Sequence, residues 1–307
     1  QRQMCIRDRV RRAVEMGFPL NEAIYCASYT PAGRMNLRDR ESLAPGRKAD
    51  FQLVKAEDCA SFEPDYVFKD GREIYHLGEP GKKTEPYRFP DHFYRSVHLD
   101  SISAGQIEPR LEMDDGKAEV RVIEVNDGRT QTGERRVQMQ VKGGKLQWQD
   151  SGCMLAAVLE RHGKNGNIGF GFVTGDCIKR GAAATTYFHD HHNLMVIGAN
   201  PDDMLVAVRR ILKQNGGICT VQNGQVKAEL PLPVCGILSE LSADEIGVKL
   251  SRVRKSLEEL GYRHYNPIMS LCTLGLPVSP ALKLTDRGLV DVVKGKIVPL
   301  LTETMCN

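Results

Sequence analysis

The chain has 307 residues, of which 41% are hydrophobic and 26% are charged, a balance that is typical of globular proteins and excludes wholesale disorder. A net charge of +3, a mean hydropathy of -0.35 and the lack of a long apolar run argue against a nucleic-acid-binding protein and a membrane span. Nine scattered cysteines without a CxxC pair exclude a zinc ribbon or a thioredoxin motif, and they predict a reducing, cytoplasmic location.

The first third of the chain is predicted to contain two short helices and then strands. Gly17 stops the first helix, and Pro19 begins the second, because proline fits the first position of a helix. Asp70-Gly71 is the preferred central pair of a tight hairpin turn. The predicted elements are helices over residues 10–16 and from Pro19, and strands over residues 50–54, 66–69 and 72–75. A linker rich in proline and glycine is expected over residues 78–91.

Beyond this linker, the pattern predicts an α+β domain. Asn200 followed by Pro201 begins a helix, and Ser242 with Glu245 forms a capping box at the start of another. Asn223-Gly224 predicts a second hairpin turn. The predicted strands cover residues 119–125, 137–141 and 154–159, the last of them continuously apolar and therefore buried.

The densest polar cluster is the run His189-Asp190-His191-His192-Asn193, which lies between two β-prone stretches, residues 185–188 and 194–198. At a corner between strands, imidazoles and a carboxylate bind a metal, relay protons or form hydrogen bonds with a heterocycle. The alternative is a structural turn that Asp190 and His192 hold together in the interior while His191 faces solvent.

Other polar signals are weaker. Five glycines in residues 163–175 lack the spacing of a phosphate-binding loop, so they predict bends and close strand packing. Residues 283–288 predict a charged surface turn, from which Asp286 or Arg287 could reach a pocket. His162 is interpreted as a loop residue.

Several stretches resemble known proteins. Residues 10–24 and 43–50 are similar to the last barrel helices of amidohydrolases and to the return into their small β-domain. Four further stretches occur in one order at suitable spacings, and together they resemble the C-terminal region of bacterial adenine deaminases: residues 179–182, 188–193, 230–233 and 282–291.

This resemblance implies an α+β fold in three parts. Residues 1–37 would be the last helices of a (β/α)8 barrel. About the first eight of these residues are expected to be an artefact and not part of the genuine sequence. Residues 38–90 would be a segment of the small β-domain with a linker. Residues 91–307 would be the C-terminal α+β domain with a mixed or antiparallel sheet.

The resemblance also implies the chemistry: hydrolysis of adenine to hypoxanthine and ammonia at a binuclear manganese or iron site, as part of purine salvage. The metal ligands of the family lie in barrel segments upstream of this sequence, so we expect no metal on this chain and no activity from it alone. His189, Asp190, His192 and Asn193 are expected to line the adenine pocket or to orient the groups that do. The expected partners are adenine and further copies of the chain, without nucleic acid or membrane.

The chain departs from the family pattern at three places. His191 stands where a small residue, typically serine, is usual; residues 175–178 replace a more glycine-like segment; and Glu41 replaces a glycine.

Two other functions stay open: a non-catalytic accessory or purine-binding module that caps a separate barrel, and metal-dependent hydrolysis by the histidine cluster itself.

Overall fold

The computed structural model describes residues 6–40, 42–55, 63–79, 87–99 and 102–302. The chain divides into two compact units, Gln1–Glu85 and Pro86–Asn307. The middle of the predicted linker, residues 80–86, lies outside the described residues, as does Glu41. Within the described ranges, no helix combines the length and the apolar character needed to cross a membrane.

The first unit contains three helices and a three-stranded antiparallel sheet. They are α1 (Ile6–Glu15), α2 (Leu20–Ala27), α3 (Tyr29–Arg34), β1 (Phe51–Val54), β2 (Pro64–Lys69) and β3 (Arg72–His76). Val10 and Ala23 are buried where α1 and α2 meet. Both predicted helices are confirmed, but α1 begins four residues before the predicted start, and Pro19 precedes the first turn of α2.

The hairpin between β2 and β3 is confirmed. Asp70 and Gly71 have φ angles of 49° and 74°, the left-handed conformation that both central positions of this turn require. Asp50 supports the turn, because its carboxylate accepts hydrogen bonds from the Asp70 N–H (2.8 Å) and from Lys69 Nζ (2.6 Å).

The second unit is built on a nine-stranded mixed sheet. Its strands are β4 (Gly116–Val125), β5 (Thr132–Lys142), β6 (Lys145–Leu146), β7 (Met154–Leu159), β8 (Ile168–Thr174), β9 (Ala182–Thr185), β10 (Leu194–Gly198), β11 (Gly217–Gln222) and β12 (Gln225–Pro231). The spatial order is β12-β11-β9-β10-β7-β8-β4-β5-β6, and only β4 and β8 pair in parallel. Among the described strands, no sheet closes into a barrel.

Both faces of the central strands are covered, which explains why β7 and β10 are apolar throughout. One face packs against α4 (Pro201–Lys213). The other packs against α5 (Ala243–Glu259), α6 (Pro267–Cys272) and a small sheet of β13 (Leu282–Thr285), β14 (Gly288–Asp291) and β15 (Lys296–Val298). Along β7, alternate side chains therefore enter two different cores. The predicted α+β class is confirmed.

The predicted helix starts are confirmed as well. The Asn200 side chain accepts the Asp203 N–H at 2.8 Å, and at α5 both halves of the capping box between Ser242 and Glu245 are present. The Asn223-Gly224 turn joins β11 to β12.

The prediction that Lys283 lies in a surface turn was wrong. Lys283 belongs to β13 and is fully buried, because the β13–β14 hairpin packs directly on β8. A Cβ at Gly169 would lie 2.0 Å from the Thr285 carbonyl oxygen, so glycine on β8 is what permits this approach. The close packing predicted from the glycines is thus confirmed.

Candidate functional site

The polar cluster forms the connection between β9 and β10, residues 186–193, which we call the histidine corner. The predicted strand over residues 185–188 ends at Thr185. It ends there because the Tyr187 N–H donates to the Thr185 side-chain oxygen (2.9 Å). This side-chain hydrogen bond takes the place of a further backbone hydrogen bond between strands. Phe188 then enters the core beside Gly275, where a Cβ would lie 2.4 Å from its ring.

One side of the corner presents three rings and a carboxylate. The ring centroid of His189 lies 4.9 Å from that of Tyr187 and 5.7 Å from that of His192. His189 is 23% exposed, and Asp190 is 70% exposed with an oxygen 3.8 Å from His189 Nδ1. These groups are therefore available to a ligand, whereas the alternative in which Asp190 is buried was wrong.

His191 is turned inward instead of facing solvent. Its Nδ1 accepts the Asn193 N–H at 3.2 Å, so the neutral ring carries its proton on Nε2. Burial lowers the pKa of His191, which keeps the ring neutral at neutral pH. The Nε2 atom is buried without a hydrogen-bond partner among the described residues. The backbone carbonyl oxygen of His191 lies 3.0 Å from His162 Nε2, so the predicted loop residue His162 contacts the corner.

His192 adopts a left-handed backbone conformation with φ of 48°, and its N–H closes the corner by donating to the Phe188 carbonyl oxygen (2.8 Å). Burial lowers the pKa of His192, and the neighbouring His189 and Arg161 lower it further. The ring is thus neutral, and its buried Nδ1 has no partner within the described part of the chain.

Asn193 is buried, and both ends of its amide group are used inside the protein. Its Nδ2 donates to Asp286 Oδ1 at 3.1 Å, and its Oδ1 accepts the Arg161 N–H at 3.3 Å. Asn193 thus links the end of β7 to the turn after β13. Asp286 and Arg287 in turn line a groove of about 640 Å³, so the prediction that they reach a pocket is confirmed.

Arg161 holds the corner from behind, and sequence analysis missed it. Its buried guanidinium donates to the carbonyl oxygens of His192, Ser96 (2.6 Å) and Cys235 (2.9 Å). Burial lowers the pKa of Arg161 to about 10, so the group remains charged. The available signal was a charged pair, Glu160-Arg161, placed directly after a fully apolar strand.

Glu160 shapes the adjoining loop. Burial opposes its ionisation, but the backbone N–H groups of residues 162, 164, 165 and 166 bond to its carboxylate and lower the pKa of Glu160 to about 2. Its negative charge is therefore stabilised by dipoles of the loop, which carries the ring of His162 toward the corner.

The histidine corner does not fit a metal pair. Within the described ranges, three ligand atoms of His, Cys, Asp or Glu come within 4.8 Å of one another only at Glu73, His76 and Glu79, in the small sheet of the first unit. The corner offers no such group, so the geometry does not favour independent metal-dependent hydrolysis by its histidines.

The mixed sheet and its corner define an α+β domain with a polar, ring-lined connection, and this domain coincides with a known family. The family model described as Adenine deaminase C-terminal domain matches residues 129–296. The chain belongs to this family.

Curated relatives extend the match over nearly the whole chain. "Adenine deaminase 2" of Shouchella clausii is 47% identical over 94% of this chain and 50% of its own length. "Adenine deaminase" of Clostridium perfringens (strain ATCC 13124) is 44% identical over 95% of this chain and 52% of its own length, and that of Moorella thermoacetica is 36% identical over 95% and 49%. The chain spans about half the length of these relatives.

Proposed function

We propose that the chain is the C-terminal portion of an adenine deaminase, a hydrolase that converts adenine and water to hypoxanthine and ammonia. The observation that carries the proposal is the 44–47% identity to proteins named adenine deaminase over 94–95% of the chain. The proposal includes a cytoplasmic enzyme of purine salvage that assembles as a homo-oligomer.

The exposed side of the histidine corner is proposed to border the adenine site. A purine offers a flat π-face and a ring of nitrogen acceptors and amino donors. The rings of Tyr187, His189 and His192 supply stacking surfaces, and the Asp190 carboxylate accepts a hydrogen bond from an amino group. Asn193 acts differently from the other three predicted residues: it positions the corner through Arg161 and Asp286.

A manganese or iron pair is proposed for the whole enzyme, held by residues outside this sequence. No step of the reaction is therefore assigned to the residues of this chain through a metal. Their proposed part is to bind and orient the purine and to restrict the access of water.

The test is adenine-dependent ammonia release with Mn²⁺ present. The chain alone is compared with a fusion in which the N-terminal half of the Shouchella clausii relative precedes it. We expect activity only in the fusion. Activity of the chain alone would contradict the proposal and would assign the deamination reaction to the histidine corner. Adenine binding by the chain, with an inactive fusion, would instead indicate a purine-binding module.

A variant of His192 tests the role of the corner in the fusion. His192→Asn removes the ring and tolerates the left-handed backbone, so a folded protein with a lower kcat for adenine is expected. His92→Ala, an exposed histidine outside the corner, is the matched control and should leave turnover unchanged. Equal kinetics in both variants would exclude His192 from the adenine site.

A further inference from the structure

Three side chains with metal-binding groups meet on the small sheet of the first unit. Glu73 and His76 belong to β3, and Glu79 lies in the turn that follows it. One ligand atom from each comes within 4.8 Å of the other two, and His76 Nδ1 lies 3.5 Å from Glu79 Oε1. Nothing in the proposed deaminase function uses these residues.

A β-bulge brings the first two residues together. In a regular strand, residues three apart point to opposite faces of the sheet. Here Val67 pairs with Tyr75 and Phe68 pairs with Glu73, so Ile74 is an extra residue that resets the alternation. Glu73 and His76 therefore reach the same side of the sheet.

The turn after β3 supplies the third residue. The Glu79 N–H donates to the His76 carbonyl oxygen at 3.1 Å, and Gly78 provides the left-handed φ of 85° that reverses the chain. The His76 ring stacks on Tyr66 with a centroid distance of 4.3 Å and an interplanar angle of 22°. This stacking restrains the imidazole in the orientation that keeps its Nδ1 beside the Glu79 carboxylate.

The charges at this place point to a cation. Within the described part of the chain, neither Glu73 nor Glu79 forms an ion pair with a lysine or arginine, and the partner of Glu79 is His76. Three aspartates of the same unit do have one: Asp50 pairs with Lys69, Asp65 with Lys55, and Asp70 with Lys48. The described residues thus place two carboxylates beside one imidazole with no lysine or arginine pairing to either carboxylate.

We propose that Glu73, His76 and Glu79 bind one divalent transition metal ion, with Zn²⁺ as the ion that best suits one imidazole nitrogen and two carboxylate oxygens. His76 binds through Nδ1, and water completes the coordination. Because the site is on the surface, it exchanges its metal readily, and the bound ion ties β3 to its following turn. The inference does not rest on the proposed deaminase function.

The test is a calorimetric titration of the metal-free full chain with Zn²⁺ under reducing conditions, in a Cys26→Ser background that removes an exposed thiol. His76→Phe keeps the ring that stacks on Tyr66 but removes the donor, and Glu79→Gln keeps the shape of an exposed side chain. The expected result is one Zn²⁺ per chain, with the affinity at least about tenfold lower in each variant. His92→Phe is the control and should bind as the parent does.

Two results would overturn the proposal. One is the lack of saturable Zn²⁺ binding by the parent. The other is binding that either His76→Phe or Glu79→Gln leaves unchanged, since all three residues are required as ligands. A long-range ¹H–¹⁵N spectrum assigns the nitrogen independently: with Zn²⁺, Nδ1 of His76 should show the shift of a metal-bound nitrogen and Nε2 that of a protonated one. The circular dichroism of the variants should match that of the parent.

Discussion

Two asparagines, Asn193 and Asn200, lie on either side of β10, and the side chain of each forms hydrogen bonds that hold its segment in place. The two differ in how far along the chain their partners lie. Asn200 accepts the Asp203 N–H, three residues further along the chain. Asn193 bonds to Arg161 and Asp286, which are 32 and 93 residues away. The helix cap forms whenever its own helix forms, whereas the histidine corner is complete only when β7, β10 and the β13–β14 hairpin are all in place.

The difference concerns what a lost hydrogen bond affects. At a helix cap, water reaches the freed N–H, so the loss is local and small. Inside the corner, a removed partner leaves buried polar groups without water, and the penalty is larger. Long-range hydrogen bonds of this kind should thus control the stability of the whole second unit. Helix caps should affect only the stability of the helix ends at which they lie.

The largest effect is expected from Arg161→Met. The substitution leaves three partly buried carbonyl oxygens, those of Ser96, His192 and Cys235, without their shared donor. The expected loss in the free energy of unfolding is about 4 kcal/mol, measured by urea denaturation followed by circular dichroism. Arg161→Lys keeps the charge but not the geometry of the fork, so its loss should be intermediate. A loss below about 1 kcal/mol for Arg161→Met would mean that the corner is not held by this side chain.

A pH effect is expected from Lys283, the other buried cation. Its Nζ donates to the carbonyl oxygens of Thr130 and Thr273, and burial lowers the pKa of Lys283 to about 8 from its usual 10.5. Between these values the unfolded chain binds more protons than the folded one, so this group adds stability as the pH rises from about 8 to 10.5. The contribution is lost again as the pH falls through 8.

Lys283→Met removes this dependence. The stability of the parent should therefore rise relative to that of the variant by about 3 kcal/mol across the window, with most of the change between pH 8 and 10.5. Urea denaturation at a series of pH values measures it. A constant difference between the two proteins over that range would show that Lys283 keeps an ordinary pKa in the folded state.

A smaller effect is expected at Asn193. Asn193→Ala breaks the bonds to Arg161 and Asp286 and should lower the free energy of unfolding by about 2 kcal/mol. Asp286→Ala removes the same bond from its other side. In a double-mutant cycle the two losses should therefore sum to more than the loss of the double variant, by at least about 0.5 kcal/mol. Additive losses would mean that the two side chains do not act as a pair.

The elements that sequence analysis predicted correctly carry their causes within a few residues. The Asp70-Gly71 turn, the Asn200 cap and the Ser242 capping box each depend on contacts between neighbours in the chain. The apolar run of β7 predicts a buried strand, but it contains no information on which strands pair with it. The spatial order of the nine strands is set by contacts between distant segments.

The candidate site shows the same limit. The run 189–193 marks the corner because its polar residues are adjacent in sequence. Arg161 and Lys283 were missed as buried residues because charged side chains are rarely buried, and no local pattern states that carbonyl oxygens from remote loops will surround them. The inward turn of His191 depends on the Asn193 N–H and on packing around Phe188, which only the folded structure shows.

The smallest effect is expected at the start of α5, and it sets the scale for the others. Ser242→Ala removes the hydroxyl that accepts the Glu245 N–H, and the expected loss in the free energy of unfolding is about 1 kcal/mol. Ser251→Ala, in the exposed middle of the same helix, is the matched control and should be neutral or slightly stabilising, because alanine favours helix. Amide hydrogen exchange should speed up only in the first turn of α5. If Ser242→Ala instead destabilised the protein as much as Arg161→Met and raised exchange throughout the sheet, local and long-range links would be equivalent in this fold, and the distinction between the cap and the corner would be wrong.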